Sequence, residues 1–193
     1  HAEFRDELIS FLKDLRATIF AIAATQVVLD FSATRQLVAS GTLLFFAELD
    51  RLCALRPEIA VRITRIRNLK VGQVLDQLGV LKRCGYGKRF KSTAADVVHW
   101  KVVTGNEVNN ETCVTGIQSY ESRLAAPLYD GVLCGLGEAQ SNTVHHAYVI
   151  QRNDGLGVEQ DKPRWWMFSQ ERDGRLSVVI CDLGAGIQAT LPK

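Results

Sequence analysis

The feature that most limits the fold of this chain is a repeated switch in the spacing of its apolar residues. Phe4, Leu8, Phe11, Leu12, Leu15 and Ile19 recur mostly every three or four positions, which gives one apolar helix face. Val27 to Phe31 then form a short apolar run suited to a buried strand. From Thr42 to Leu55 a spacing of three returns at Leu43, Phe46, Leu49 and Leu52, with Glu48, Asp50 and Arg51 between them and Pro57 closing the helix. Residues 59–66 roughly alternate, as a strand with one buried face does, and Val71, Val74, Leu75 and Leu78 give a further short helix. Helices alternating with strands require a layered α/β arrangement, because the apolar face of a sheet has to be covered by an element packed across it.

The pattern changes after Lys91. Residues 97–103 read as a strand, 105–112 as a turn or loop, 119–148 as one long helix, and 153–164 as a polar loop. Leu124, Leu128, Val132, Leu136 and Ala139 would line one face of that helix. Its interior glycines each cost about 1 kcal/mol relative to alanine, a cost expected only where backbones pack closely. Residues 165–170 and 176–181 predict a hairpin turning at Asp173-Gly174. The consecutive Val178, Val179 and Ile180 predict that its second strand is central and buried on both faces.

Length and composition narrow the function classes. The 193 residues suffice for one large domain or two small ones, and 47% apolar content supports a real core. A net charge of +2 gives no electrostatic case for a nucleic-acid partner. The basic run from Lys82 to Lys91 reads as a solvated loop or, failing that, a phosphate-binding patch. No apolar run approaches the roughly 20 residues of a membrane span. Without that, and without a signal-peptide pattern, the expected setting is cytoplasmic, away from any membrane. The cysteines at 53, 84, 113, 134 and 181 are odd in number and lack a C-x-x-C pair, so they read as reduced core thiols. Only His145 and His146 lie close together among the histidines, which argues against a zinc site.

Two stretches carry chemistry. Glu138, Asn142 and His146 stand at i, i+4 and i+8, so on a continuous helix they project from one side. A carboxylate and a carboxamide so spaced offer the hard oxygen ligands that Mg²⁺ takes together with phosphates and water; a solvated helix face is the alternative. Asp182-x-Gly184-x-Gly186 follows a strand. Its carboxylate can accept a hydrogen bond from an exocyclic amine such as that of adenine, and its glycines let backbone approach a flat ligand. An ordinary glycine-rich turn is the alternative there. No Walker A loop occurs.

Taken together, residues 138–148 (EAQSNTVHHAY) resemble the N box of the GHKL ATPases, the group of histidine-kinase catalytic domains, anti-sigma-factor kinases and related ATPases. Residues 181–187 (CDLGAGI) resemble their G1 box, in the same order and with a hairpin between. The resemblance covers roughly residues 115–193 and implies a Bergerat-type α/β sandwich over residues 96–193, with ATP and Mg²⁺ as cofactors. It implies that Asn142 supplies an oxygen to Mg²⁺ and that Glu138 is the catalytic residue polarising the attacking water or hydroxyl. By the same resemblance His145 and His146 contact phosphates or line the pocket, and Asp182 binds the adenine amine. Gly184 and Gly186 let the backbone pass the base, and Ile187 packs near it. The family continues into a lid and a second glycine-rich box. The sequence stops at Lys193, so the domain is expected to be incomplete at its C-terminus.

Residues 27–80 are similar to a STAS domain, the fold of anti-sigma-factor antagonists, which implies a STAS-like α/β domain over residues 1–95. The likeness rests on the strand from Val27 to Ser32, Ser40-Gly41 opening a helix, the strand 59–66 and the helix 69–78. The antagonists carry a regulatory D-S-[ST]-G motif at that helix start. Here Val38-Ala39-Ser40-Gly41 lacks the acidic and phosphoacceptor positions, and Ser40 reads as a helix N-cap. The domain is therefore expected to act as a scaffold, dimer surface or sensor. The expected whole is a regulatory ATPase or protein kinase with an unidentified protein partner or a homodimeric state. The Ser/Thr, anti-sigma-like type is favoured over the histidine type, since no dimerisation helix with an acceptor histidine precedes the site and His99 reads as a core or edge residue. The alternative is a non-catalytic, nucleotide-sensing interaction module.

Overall fold

The computed structural model of this chain describes residues 2–94, 97, 100–152, 162–172 and 174–190. Among the described residues the chain is a mixed α/β protein with two small sheets. It divides into two compact units, His1–Trp100 with Gln170–Ser177, and Lys101–Ser169 with Val178–Lys193. Among the described residues no helix is long and apolar enough to cross a membrane.

In the first unit, helix α1 (Ala2–Phe20) buries Leu12, Leu15 and Ile19 along the predicted stripe. Strand β1 (Gln26–Leu29) pairs in parallel with β2 (Ala60–Ile63), Val27 opposite Val61 and Leu29 opposite Ile63. Parallel neighbours need a crossover, and α2 (Ala39–Leu55) supplies it. Val28 is 52% exposed while Val27 and Leu29 are buried, so the expected buried strand buries one face. Helix α2 starts at Ala39 with Val38 at its N-cap and no side-chain cap. Ser40 therefore lies inside the first turn and is not the cap. Helix α3 (Leu69–Gln77) is capped by Asn68, whose Oδ1 accepts from the Lys70 and Val71 amides at 2.9 and 3.2 Å. The short α4 (Val80–Arg83) follows Gly79, which takes φ +75°.

The charges of α2 are the main surprise of this unit. Glu48 is fully buried and pairs with Arg16 of α1, while Asp50 is buried and pairs with Arg83. A lone buried carboxylate would cost on the order of several kcal/mol, and at these positions a guanidinium partner offsets that cost. The basic run is likewise anchored. Arg89 Nε lies 2.8 Å from Asp76 Oδ1, and Lys88 Nζ sits 4.9 Å from the centre of the Phe90 ring. Phe90 is buried against Gly72, where any Cβ would come within 2.5 Å of its ring. His99 lies outside the described residues.

The larger sheet has the order β3 (Lys101–Gly105), β4 (Trp165–Arg172), β5 (Arg175–Asp182), of which the second unit holds β3, residues 165–169 and residues 178–182. β3 runs antiparallel to β4, with Val103 opposite Met167. The central strand is β4, whose Trp165, Trp166, Met167 and Phe168 are all buried. β5 is an edge strand, half-buried along most of its length, which corrects its expected central position. Of the strand expected over 97–103, β3 takes in Lys101 to Val103, and residues 98 and 99 lie outside the described residues. Part of the expected loop is α5 (Asn110–Ile117), capped by Asn109, whose Oδ1 accepts from the Thr112 amide at 3.0 Å.

The long helix expected over 119–148 is three pieces. A 3₁₀ turn (Gln118–Arg123) ends in extended backbone at Leu124 and Ala125, then α6 (Ala126–Asn142) begins, and a π-helical turn (Thr143–Ala147) continues it. Pro127 sits in the first turn of α6, where its missing N–H breaks no helix bond. The buried face of α6 is Tyr129, Leu136 and Gln140, whereas Leu128, predicted to be inside, is 57% exposed. Gly131 and Gly135 have no atoms near where a Cβ would stand, so close packing does not account for them. At the hairpin turn Gly174 has φ +70°, and Asp173 lies outside the described residues. Of the five thiols, Cys84 and Cys113 are buried, Cys53 and Cys181 half-buried, and Cys134 exposed, so the expected set of core cysteines is corrected at Cys134.

Candidate functional site

The site is assembled where α6 passes into the π-helical turn. On α6, Glu138 and Asn142 are exposed, on the side away from Tyr129, Leu136 and Gln140. Among the described residues neither the Glu138 carboxylate nor the Asn142 carboxamide is tied to another side chain. The α-helical phase ends at Asn142, so His146 does not continue the i, i+4, i+8 stripe read from the sequence. His145 and His146 are both exposed on the wider turn, their ring centres 6.2 Å apart, and His145 Nδ1 lies 3.1 Å from Ser141 Oγ. Single π turns inside helices occur often at functional sites.

The inner side of that turn meets the loop after β5. Thr143 is buried, and its hydroxyl donates to the Ala139 carbonyl at 3.0 Å and approaches Asp182 Oδ2 at 3.5 Å. One proton serves both acceptors, so the Ala139 bond is the stronger. Asp182 ends β5 and is half-buried; its Oδ1 accepts from the Gly184 amide at 2.9 Å, which folds the loop back on the carboxylate. The Ala185 amide donates to the Ala147 carbonyl at 2.7 Å. Tyr148 completes the join: its Oη accepts from the Leu183 amide at 3.1 Å and donates to the Arg164 carbonyl at 2.9 Å.

Gly184 is fixed by this contact. A Cβ there would stand 2.1 Å from the Ala147 carbonyl oxygen and 2.5 Å from its carbon, a collision with backbone that no rotamer relieves. Gly186 differs: its φ of +84° is the left-handed region, and the space around it is open. Ile187 opens the short helix α7 (Ile187–Thr190), and its side chain lies outside the described residues. The fold thus brings Asp182 and Gly184 against the turn Thr143–Ala147. Glu138, Asn142, His145 and His146 stand on the exposed side of the same segment.

Three residues of this region escaped the sequence reading. Thr143 touches the aspartate, Tyr148 holds the loop, and Gln140 is fully buried on α6. The spacing of Leu136, Gln140 and Thr143 by four and three was the available signal for a buried face that carries polar groups. Nothing in the sequence signalled the π turn. Two cavities of about 330 and 430 Å³ lie in the first unit, one beside Arg35, Val38 and Lys70, the other beside Phe46, Leu78 and Lys82, and neither borders the Asp182 loop. Comparison with family models, curated proteins and solved structures finds no match for this chain.

Proposed function

We propose that the second unit binds Mg-ATP in the manner of a GHKL ATPase, on a Bergerat-type frame. The observation that carries this reading is the meeting of two stretches 39 residues apart: the Thr143 hydroxyl at the Asp182 carboxylate, reinforced by the Ala185 amide on the Ala147 carbonyl. Either motif can arise by accident, and their contact supports a shared ligand. Asp182 keeps lone pairs for an exocyclic amine, since it is half-exposed and a carboxylate accepts about four hydrogen bonds. The adjacent Thr143 hydroxyl can turn to serve a ring nitrogen, and the open left-handed Gly186 leaves room for a flat base.

The donor set also suits Mg²⁺. Glu138 and Asn142 present oxygen ligands on an exposed face, and Mg²⁺ uses one or two such ligands with phosphates and water. A site of that kind needs no cluster of three acidic or histidine side chains, and none occurs among the described residues. Asn142 would hold the ion, which when bound neutralises phosphate charge. Glu138 would accept the proton of the attacking water or hydroxyl. The protein then acts as a regulatory ATPase or a Ser/Thr-type protein kinase, its STAS-like first unit serving as scaffold for a protein partner.

The second reading is a nucleotide-sensing module without turnover. It is favoured by the exposure of Glu138 and Asn142, because phosphoryl transfer gains from exclusion of water. Calorimetric titration of ATP and ADP, with and without Mg²⁺, into the protein and its Asp182→Asn variant tests the shared premise. Binding that the variant loses supports the adenine pocket, and no binding by the wild type ends the ATP reading. Phosphate release abolished by Glu138→Ala then favours the enzyme over the module.

A further inference from the structure

The carboxamide of Gln140 is the most fully committed polar group on α6. It is 0% exposed, and each of its atoms is used. Its Oε1 accepts from the Asn109 amide at 2.9 Å, while Nε2 donates to the Asn109 carbonyl at 3.3 Å and to Cys113 Sγ at 2.6 Å. The side chain thus pairs with one peptide unit much as a neighbouring strand would. That peptide is itself held: Asn109 caps α5 through its own side chain, and the Trp165 indole donates to the Glu107 carbonyl at 2.9 Å.

A buried amide costs about 1–3 kcal/mol if left unpaired, so this position resists any rotation of α6 that would break the pairing. An apolar residue there would let the helix slide or turn with little penalty. Glu138 and Asn142 stand two positions to either side of Gln140, each turned roughly 200° from it on a helix. Locking Gln140 inward therefore locks both oxygen-bearing side chains outward, in one orientation. Thr143, which meets Asp182, lies three positions on and shares the buried face.

We infer that Gln140 is a positioning residue that fixes the rotation of α6 about its axis, and so aligns Glu138 and Asn142 with the magnesium–phosphate end of the nucleotide. The inference rests on the ATP reading above. The adenine end is held by Asp182 and its loop, which is seated chiefly by the Ala147 carbonyl and the Tyr148 hydroxyl beyond α6, with Thr143 a longer contact at 3.5 Å, so the two ends are separable by experiment.

The test is calorimetry with two probes, ADP without Mg²⁺ and ATP with Mg²⁺, on the wild type, Gln140→Leu, Gln140→Glu and Asn142→Ala, each with a thermal melt. Gln140→Leu is expected to lower Mg-ATP affinity by about tenfold, because the helix that carries Glu138 and Asn142 is no longer held in one orientation, and to leave Mg-free ADP within about twofold. Asn142→Ala should give the same pattern. Equal affinities for wild type and variant overturn the inference, and so does a parallel loss of both probes with the melt intact, which marks a general structural role. If Gln140→Leu does not fold, Gln140→Glu decides by the same two criteria, since it keeps the acceptor for the Asn109 amide. A wild type that binds neither probe refutes the ATP reading itself, a result distinct from any pattern among the Gln140 variants.

Discussion

Helices α2 and α6 have the same length, 17 residues, and each carries carboxylate in its second half, yet they use it in opposite ways. On α2, Glu48 and Asp50 are buried and spent on Arg16 and Arg83, so they hold the first unit together. On α6, Glu138 faces solvent, and the one polar side chain turned inward beside it, Gln140, is neutral and paired with backbone. Charge kept inside needs a partner for every ion, and a charge so committed is unavailable for a ligand. Chemistry is to be sought on the helix whose oxygens are uncommitted.

The sharpest way to break this contrast is to truncate both glutamates. Glu48→Ala should destabilise the first unit by about 3–5 kcal/mol, because it removes the fully buried carboxylate that pairs with the Arg16 guanidinium. Glu138→Ala should change stability by no more than about 0.5 kcal/mol, as exposed substitutions do. Urea denaturation of the two variants checks the pair, and equal costs would erase the distinction between the helices. Next in size is Gly184→Ala, whose Cβ collides with the Ala147 carbonyl. A cost of about 1–3 kcal/mol is expected and, on the proposed ATP reading, loss of nucleotide binding, read by denaturation and calorimetry. An unchanged protein would mean that the loop after β5 is not seated on the π turn.

The sequence conveyed these features unevenly, and for physical reasons. The α/β alternation was legible because Leu43, Leu49 and Leu52 keep helical spacing, whereas the stretch around Val61 keeps that of a strand. The burial of Glu48 and Asp50 was not, because their partners lie 32 and 33 positions away and only the fold brings them near. The same limit misled the reading of the hairpin. Val178 to Ile180 look like a central strand, but centrality depends on which strand β3 pairs with, and Trp165 to Phe168 fill that place. In the candidate site, Asp182 and Gly184 stood out through motif spacing, while Thr143 and Gln140 did not. Their roles come from what lies across the fold, and a π turn leaves no residue signature. Pro127 falls inside the helix expected over 119–148 but marks the first turn of α6, a position that suits proline.

A smaller effect sharpens the comparison from the other side. Gly135 lies in the interior of α6, on its exposed face, with open space where a Cβ would be. Gly135→Ala should stabilise the helix by about 1 kcal/mol, since alanine loses less backbone entropy there. The thermal melt should rise while, on the proposed ATP reading, ADP affinity stays the same. A fall in stability would show that something packs on this face.

The smallest effect concerns a carboxylate that is exposed yet committed. Asp30 Oδ1 accepts from the Thr64 hydroxyl at 2.6 Å and from the Ser32 amide at 2.8 Å, joining the ends of β1 and β2. These bonds favour the charged form, the Thr64 bond most, and hold its pKa below the ordinary 3.8. A folded pKa below the unfolded one means that the ionised group contributes stability above pH 3.8, and that this is lost as pH falls through the folded value. Asp30→Asn keeps an acceptor for Thr64 but removes the titration. The variant should melt slightly lower than the wild type at neutral pH, and the gap should close below pH 3.8. Thermal melts across pH 2 to 7, roughly the range over which carboxylates titrate, check this. A gap that persists at the acid end would mean that the Thr64 bond acts through geometry alone, and that exposure by itself does not separate committed from uncommitted carboxylates in this protein.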